Sequence, residues 1–160
     1  MEAARLATEA DLDVLVALWE RSVAELDGQR GGALLAGGLV RGDLRRFLNE
    51  ALVDPDRAVV LGLIDDVAVG LASAVAERRR REPLAVLEVV YVDSGARQIG
   101  VAGAMVDVIS AWCRSLGLVG IDAPALPGNR PAKAFFESHG FLARLLVMHH
   151  PVEIDGDGDS

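Results

Sequence analysis

Residues 87–108, LEVVYVDSGARQIGVAGAMVDV, decide the fold of this chain. They begin with an apolar, β-branched run, break at Asp93-Ser94-Gly95, and enter an amphipathic pattern after Gly100. This order predicts a strand that turns through glycine into a helix. Such a helix leaves backbone N–H groups unpaired at the positive end of its dipole. The stretch therefore predicts a binding site for a phosphate or pyrophosphate.

The composition indicates a single domain. The chain has 160 residues, of which 51% are hydrophobic and only 4% aromatic, so Val, Leu and Ala must fill the core. No apolar run reaches the ~18 residues that a membrane span needs, and the acidic N-terminus lacks the order of a secretory signal. The single cysteine, Cys113, excludes an internal disulfide framework. We therefore expect a cytoplasmic protein without a membrane partner.

The net charge argues against nucleic acid as a partner, and the available ligands argue against a metal ion. A formal net charge of −8 argues against nucleic acid, whose binding needs a basic surface. Residues 153–160, EIDGDGDS, lack apolar periodicity and predict an acidic disordered tail after a domain of residues 1–152. The tail lacks the ligand set of a calcium loop, and His149-His150 has no third ligand nearby. We expect no metal site.

Apolar periodicity elsewhere predicts alternating helices and strands. The glycine-rich residues 29–42 fit either a loop or a weak helix. We expect strands at residues 5–7, 58–64, 67–76, 84–92, 118–123 and 141–150, and helices at residues 8–27, 43–52, 101–116 and 129–137.

A second motif follows at residues 129–141, NRPAKAFFESHGF. This motif and the earlier Arg97-x-x-Gly100-x-Ala102 stand in the order and separation found in the GNAT superfamily of acyl-CoA-dependent N-acyltransferases, which the chain resembles over nearly its whole length apart from the tail. The resemblance implies an α/β fold, a three-layer sandwich with a mixed central sheet of about six to seven strands flanked by about four helices.

The resemblance also implies acetyl-CoA as cosubstrate and a primary amine of a small molecule or protein as acceptor, attacked directly in a ternary complex. Backbone N–H groups of residues 98–103 would hold the pyrophosphate, where Gly100 allows close approach; alternatively, these glycines only let the helix pack on the sheet. Arg97 would contact a phosphate or be solvated. The expected coenzyme A contacts are Val90, Tyr91, Val92, Arg97, Gln98, Ile99, Gly100, Val101, Ala102, Gly103, Asn129, Ala132, Phe135 and Phe136.

The pantetheine contacts depend on one feature of the family's sheet. The fourth strand splays from the fifth there, so that Val90, Tyr91 and Val92 would present free backbone opposite Ala123 and bind the arm like an added strand. The alternative is an ordinary paired strand.

The catalytic residues are where the sequence departs from the family. Many members use a tyrosine as the acid that protonates the thiolate, and Phe136 stands at that position. Glu88 interrupts an apolar strand and is our candidate general base, or else the partner of an arginine. Tyr91, the chain's only tyrosine, is our candidate acid, although alternation turns it away from Val90 and Val92. The alternative function is a catalytically weak GNAT-like module that binds acyl-CoA or a partner protein.

The chain end also bears on assembly. Only residues 141–152 follow the last predicted helix before the tail, so the family's usual final hairpin is compressed. A sheet edge left open there can pair with a second subunit. We therefore expect a homodimer.

Overall fold

A computed structural model describes residues 1–29, 31–39 and 42–153, without the side chains of residues 33–36. The described residues contain five strands, five α-helices and two short 3-10 helices, Glu9–Asp11 and Ser94–Ala96. In chain order the main elements are β1 (Glu2–Leu6), α1 (Leu12–Asp27), α2 (Gly32–Leu39), α3 (Leu44–Val53), β2 (Arg57–Ile64), β3 (Val67–Glu77), β4 (Leu84–Val92), α4 (Val101–Leu116), β5 (Ile121–Asp122) and α5 (Arg130–Ser138).

The five strands form one mixed sheet in the order β1-β2-β3-β4-β5. The first four strands are antiparallel neighbours, and β5 joins β4 in parallel. Asp65 and Asp66, with φ of 46° and 68°, form the tight turn between β2 and β3. Asp tolerates this left-handed conformation better than most residues, and the sequence predicted the turn. None of the helices in the described ranges is long and apolar enough to cross a membrane.

Helices cover both faces of the sheet and bury a separate core on each. On one face, α4 contributes Val101, Met105 and Ile109, each at most 1% exposed, to a cluster with β2, β3 and β4. On the other face, α1 contributes Leu18 and Trp19 to a cluster that also contains α2 and α3. The Trp19 indole N–H donates to the Leu39 carbonyl at 2.8 Å, which fixes the end of α2 against α1. The molecule thus has three layers.

Two strand glycines let α4 approach the sheet closely. A Cβ on Gly62 would overlap Val101 Cγ1 and lie 3.0 Å from Met105 Sδ. A Cβ on Gly70 would lie 3.1 Å from Met105 Cε and 3.4 Å from Val101 Cγ1. The missing side chains therefore set the distance between the sheet and the first turn of α4.

The predicted α/β class and the helix cover on both faces are confirmed, but the expected count of six to seven strands is wrong. Residues 141–153 form no strand, and of them only Phe141 is partly buried, against Phe136. The strand expected at residues 118–123 is reduced to the two residues of β5, so a later strand has little edge to pair with. Helices number five because Gly32–Leu39 is helical. Of the predicted tail, Glu153 is exposed, and residues 154–160 lie outside the described residues.

Candidate active site

A β-bulge interrupts β4 in the middle of the sheet. Its neighbour β3 pairs Ser73 with Val89 and Ala74 with Leu87, so that Glu88 is the extra residue of the bulge. A bulge of this kind bends its strand and re-aims the side chains beyond it.

The bulge changes which way β4 faces. Before it, Ala85 and Leu87 pack in the core under α4; after it, Val89 and Tyr91 pack in the core under α1. Glu88 and Tyr91 are three positions apart and would lie on opposite faces of a regular strand. The bulge instead lets both candidate catalytic side chains line one groove.

The outer edge of β4 is paired over only part of its length. Its partner β5 meets it at Ala85↔Ile121 and Val86↔Asp122, and the register of these two strands in the described structure extends no further. Residues 87–92 therefore have β3 on one side only. This is the predicted divergence of the two strands rather than an ordinary paired strand, and it leaves backbone N–H and C=O groups facing the gap.

The gap opens into a groove with a cavity volume of about 120 Å³. Its walls are β4, the loop after β5, and the facing sides of α1 and α5. The lining residues are Ser22, Glu25, Leu26, Gln29, Leu39, Leu87, Glu88, Val89, Val90, Tyr91, Ala123, Pro124, Ala125, Leu126, Asn129, Ala132 and Phe136.

Glu88 lies in a compact polar cluster at the groove floor. Its carboxylate forms an ion pair with Arg57 and accepts a hydrogen bond from the Ser73 hydroxyl at 3.1 Å. The Arg57 and Glu88 side chains are only 16% and 13% exposed, and the Arg57 guanidinium lies 5.0 Å from the centre of the Phe47 ring. Glu88 is thus the partner of an arginine, and it also lines the groove.

Tyr91 is held at the α1 side of the groove. Burial, and then a hydrogen bond with the Asp93 carboxylate, raise the pKa of its phenol above the ordinary value. The Arg97 guanidinium lies 5.8 Å from the ring centre, within range of a cation–π interaction. Asp93 is itself held by Arg21 of α1 through two hydrogen bonds of 3.0 and 3.1 Å. The phenol is therefore protonated at neutral pH and fixed in position.

Arg97 points back toward the sheet and α1. Its Nε donates to the Val92 carbonyl at 2.8 Å, and its guanidinium forms an ion pair with Glu25. The side chain thereby ties the end of β4 to α1. Arg97 is thus neither solvated nor directed toward the start of α4. A contact with phosphate would require its guanidinium to turn away from Glu25 and the Val92 carbonyl.

The start of α4 has the backbone that an anion cradle requires. Gln98 and Gly100 adopt left-handed φ of 66° and 91°, and no side chain caps the first turn of the helix. Space next to Gly100 is bounded by Glu2 Cγ, 3.2 Å from where a Cβ would stand, and Gly103 faces the His139 ring. No side-chain cap therefore competes with a ligand oxygen for the N–H groups of this turn, beside which the Glu2 carboxylate lies.

The second motif forms α5 along the groove. Asn129 caps the helix, as predicted, by accepting the Ala132 N–H at 3.1 Å, and its amide donates to Gln29 at 3.3 Å. Phe136 lines the groove and packs edge-on against Phe135, whereas Phe135 itself stacks on His139 with ring centres 4.3 Å apart. Of the predicted contacts, Glu88, Val90, Tyr91, Asn129, Ala132 and Phe136 line the groove; Val92, Phe135 and residues 97–103 do not.

Sequence reasoning missed the α1 wall of the groove. Ser22 is 4% exposed and Glu25 lies one turn further along the helix. A serine on the same stripe as Leu15, Leu18 and Trp19 interrupts an otherwise apolar face, and that interruption was the available signal. No group of three or more His, Cys, Asp or Glu side chains in the described structure is placed to hold a metal ion.

A scan against protein-family models matched residues 35–141 to the acetyltransferase (GNAT) family. The match covers more than half of the chain, and the chain belongs to this family. A search of curated protein sequences found no match.

Solved structures share the fold at low sequence identity. A transcriptional regulator from Bacillus halodurans C-125 aligns with a TM-score of 0.73 and 21% identity, over 94% of this chain and 100% of the regulator. The aminoglycoside N-acetyltransferase AAC(6')-Iy in complex with CoA aligns with a TM-score of 0.74 and 19% identity, over 96% of both chains. An aminoglycoside acetyltransferase from an uncultured soil metagenomic sample, in complex with sisomicin, aligns at 0.72 and 17%, over 96% of this chain and 97% of the other.

Proposed function

We propose that this protein is an acetyl-CoA-dependent N-acetyltransferase that transfers acetyl to a primary amine of a small molecule or protein by direct attack in a ternary complex. The observation that carries the proposal is the half-paired β4, whose open edge borders a groove containing Glu88 and Tyr91. Family membership supports acetyl transfer as the reaction.

Coenzyme A fits the open features of this fold. The amides of residues 98–103 would hold the pyrophosphate at the uncapped start of α4. The open edge of β4 at Val90, Tyr91 and Val92 would hydrogen-bond the amides of the pantetheine arm, with Ala123 across the gap and the Val92 carbonyl released from Arg97. Asn129, Ala132, Phe135 and Phe136 would border the arm from α5. When bound, acetyl-CoA supplies the thioester carbonyl carbon that the amine attacks.

The side chains of the groove supply the proton transfers. An amine must lose a proton before or during attack, and the Glu88 carboxylate, held by Arg57 and Ser73, would accept it directly or through a water molecule. The C–S bond breaks as the C–N bond forms, and the departing thiolate needs a proton. The Tyr91 phenol is protonated and would provide it, since Phe136 has none to give.

The nature of Phe136 favours a second candidate function. A GNAT-like domain without the usual tyrosine, whose phenylalanine packs against Phe135 and Phe141, would bind acyl-CoA or a partner protein with little turnover. Where the module binds acyl-CoA, the two functions differ in rate and not in ligand.

Calorimetry with CoA and acetyl-CoA tests what both candidates share. We expect Gly100→Glu to weaken binding at least about tenfold, because its carboxylate would stand next to the pyrophosphate. Gly117→Glu is the matched control, since Gly117 has a left-handed φ of 72° at the opposite end of the same helix. No binding by the parent protein, or equal affinity in the Gly100 and Gly117 variants, would overturn the proposed cofactor site.

Turnover on a panel of primary amines separates the two candidates. If Tyr91 is the acid, Tyr91→Phe lowers kcat by roughly 100-fold or more while CoA affinity is kept, and adding Phe136→Tyr restores part of it. Parent turnover at background level, raised strongly by Phe136→Tyr alone, would favour the binding module.

The proposal also includes a cytoplasmic location and a homodimer. The lone Cys113, a thiol buried in α4, is consistent with a reducing compartment, and the short β5 leaves an open sheet edge.

A further inference from the structure

The Arg97 side chain occupies the part of β4 that the cofactor would need. Its Nε–H donates a hydrogen bond to the Val92 carbonyl at 2.8 Å. Its guanidinium also forms an ion pair with Glu25, which lines the groove from α1. One side chain therefore connects the end of β4 to the α1 wall of the groove.

The Val92 carbonyl lies on the open edge of β4. The N–H of the next residue, Asp93, donates to the Val69 carbonyl at 2.8 Å and so points toward the end of β3. Backbone groups of adjacent residues in a strand point to opposite sides. The Val92 carbonyl therefore points into the gap beside β5, where a pantetheine amide would add as a strand, and Arg97 is its partner there.

The loop that carries Arg97 is fixed at its backbone, whereas the side chain is not. The Ala96 N–H donates to the Asp93 carbonyl at 2.8 Å, and Ala96 is 6% exposed. The Arg97 side chain, in contrast, is 42% exposed. Arg97 can therefore leave the Val92 carbonyl by rotation about its own side-chain bonds while the loop keeps its conformation.

The ion pair with Glu25 determines which way Arg97 points. Arg97 lies three positions before Gly100, near the start of α4, yet its guanidinium is held toward α1 and over the Tyr91 ring. The Glu25 side chain is 39% exposed, so water weakens the pair. An interaction of this strength biases the position of Arg97, and a bound ligand can replace it.

We propose that Glu25 is a positioning residue that lowers the affinity for coenzyme A by holding Arg97 on the open edge of β4. The pantetheine arm displaces Arg97 from the Val92 carbonyl, and the released guanidinium turns toward the pyrophosphate at the start of α4. Arg97 thus has opposite effects on two parts of one ligand, because it competes with the arm and attracts the phosphates. This inference rests on the proposed function, since it requires the proposed coenzyme A site.

Binding of pantetheine and of coenzyme A to the full chain, measured by NMR titration and calorimetry, tests these opposite effects. Pantetheine is uncharged, so the loss of a protein charge affects its binding chiefly through the position of Arg97. We expect Glu25→Gln to raise the affinity for both ligands by about three- to fivefold, the effect of losing an exposed ion pair. Arg97→Ala should raise the affinity for pantetheine similarly and lower that for coenzyme A by at least about threefold.

Glu20→Gln is the matched control. It removes one exposed carboxylate from the same helix, and Glu20 is not among the residues that contact Arg97 in the described structure. Its affinity for pantetheine should equal that of the parent, and cooperative thermal unfolding would show that each variant folds. A pantetheine affinity that Glu25→Gln leaves unchanged, or that Arg97→Ala lowers, would overturn the proposal.

The Arg97 Nε–H group supplies a second measurement on the parent protein. Its NMR signal should be protected from solvent exchange in the free protein by the Val92 carbonyl, and saturating pantetheine should remove this protection. Protection that persists with pantetheine bound would overturn this inference alone, because the arm would then bind without displacing Arg97. A parent protein that binds neither pantetheine nor coenzyme A would overturn the proposed cofactor site and this inference together.

Discussion

Replacing Gly62 by alanine should separate α4 from the sheet and reduce stability by a calculable amount. The added Cβ would overlap Val101 Cγ1 and stand 3.0 Å from Met105 Sδ. Val101 is 1% exposed and β-branched, so it cannot change rotamer freely inside a helix. The first turn of α4 must therefore move, and with it the proposed pyrophosphate site.

The expected loss combines two effects of opposite sign. Inserting a methyl group into a packed core costs about 1–3 kcal/mol, and removing a glycine from the unfolded chain returns about 0.4–1 kcal/mol. We expect a net loss of about 1–2 kcal/mol, which lowers the melting temperature of a domain of this size by roughly 2–8 °C. Urea unfolding followed by tryptophan fluorescence measures the free energy of unfolding directly.

A double-mutant cycle identifies the clash as the cause. In a Val101→Ala background the overlapping methyl group is absent, so Gly62→Ala should cost at least about 1 kcal/mol less than in the parent. Gly120→Ala is the control, because no atom lies within 4 Å of its added Cβ. A Gly62→Ala variant within about 0.5 kcal/mol of the parent, or an equal cost in both backgrounds, would refute the argument.

Two further predictions follow from pKa shifts. The Arg5 guanidinium, chiefly through its hydrogen bonds, lowers the pKa of Asp11 to about 2. A carboxyl group with a lowered pKa stabilises the fold above the usual carboxyl range, and this stabilisation is lost as the pH falls toward 2. Asp11→Asn should therefore lower the free energy of unfolding by about 1–2 kcal/mol at neutral pH and by about half as much near pH 3. A loss that does not depend on pH in urea titrations would contradict the pairing of Asp11 with Arg5. Because the pKa of Tyr91 is raised in the folded state, its contribution to stability is present below pH 10.0 and is lost as the pH rises through the folded pKa. Tyr91 is the only tyrosine, so ultraviolet absorbance should follow its titration. The phenol should ionise at a higher pH in the folded parent than in the unfolded chain, and at a lower pH in Asp93→Asn than in the parent.

Local pattern predicted the elements of this fold well. The apolar runs gave β2, β3 and β4, the glycine after Leu116 marked the end of α4, and Asn129 marked the start of α5. Each of these features depends on neighbouring residues alone. The strand predicted at residues 141–150 is absent. A strand also needs a neighbouring strand to pair with, and local sequence does not reveal that neighbour.

The candidate site was less predictable because its geometry depends on distant residues. Glu88 and Tyr91 could be named from the sequence, but not the bulge that brings them to one groove. Arg97 was expected either near phosphate or in solvent, and its direction is set by Glu25, which lies 72 residues away in the chain.

The bulge also determines which layer each side chain of β4 contacts beyond Glu88. Beyond Glu88, the side chains of Val89 and Tyr91 turn to the α1 layer, while those of Val90 and Val92 turn to the α4 layer. Substitutions at Val89 or Tyr91 would thus change the α1 layer and leave unchanged the layer that carries the helix start proposed for the cofactor. If Glu88 instead paired with Ser73 in a regular register, every side chain beyond it would change face, and the only phenol of the chain would turn into the opposite core. The pairing register of β4, as much as the identity of its residues, is therefore part of what defines the site.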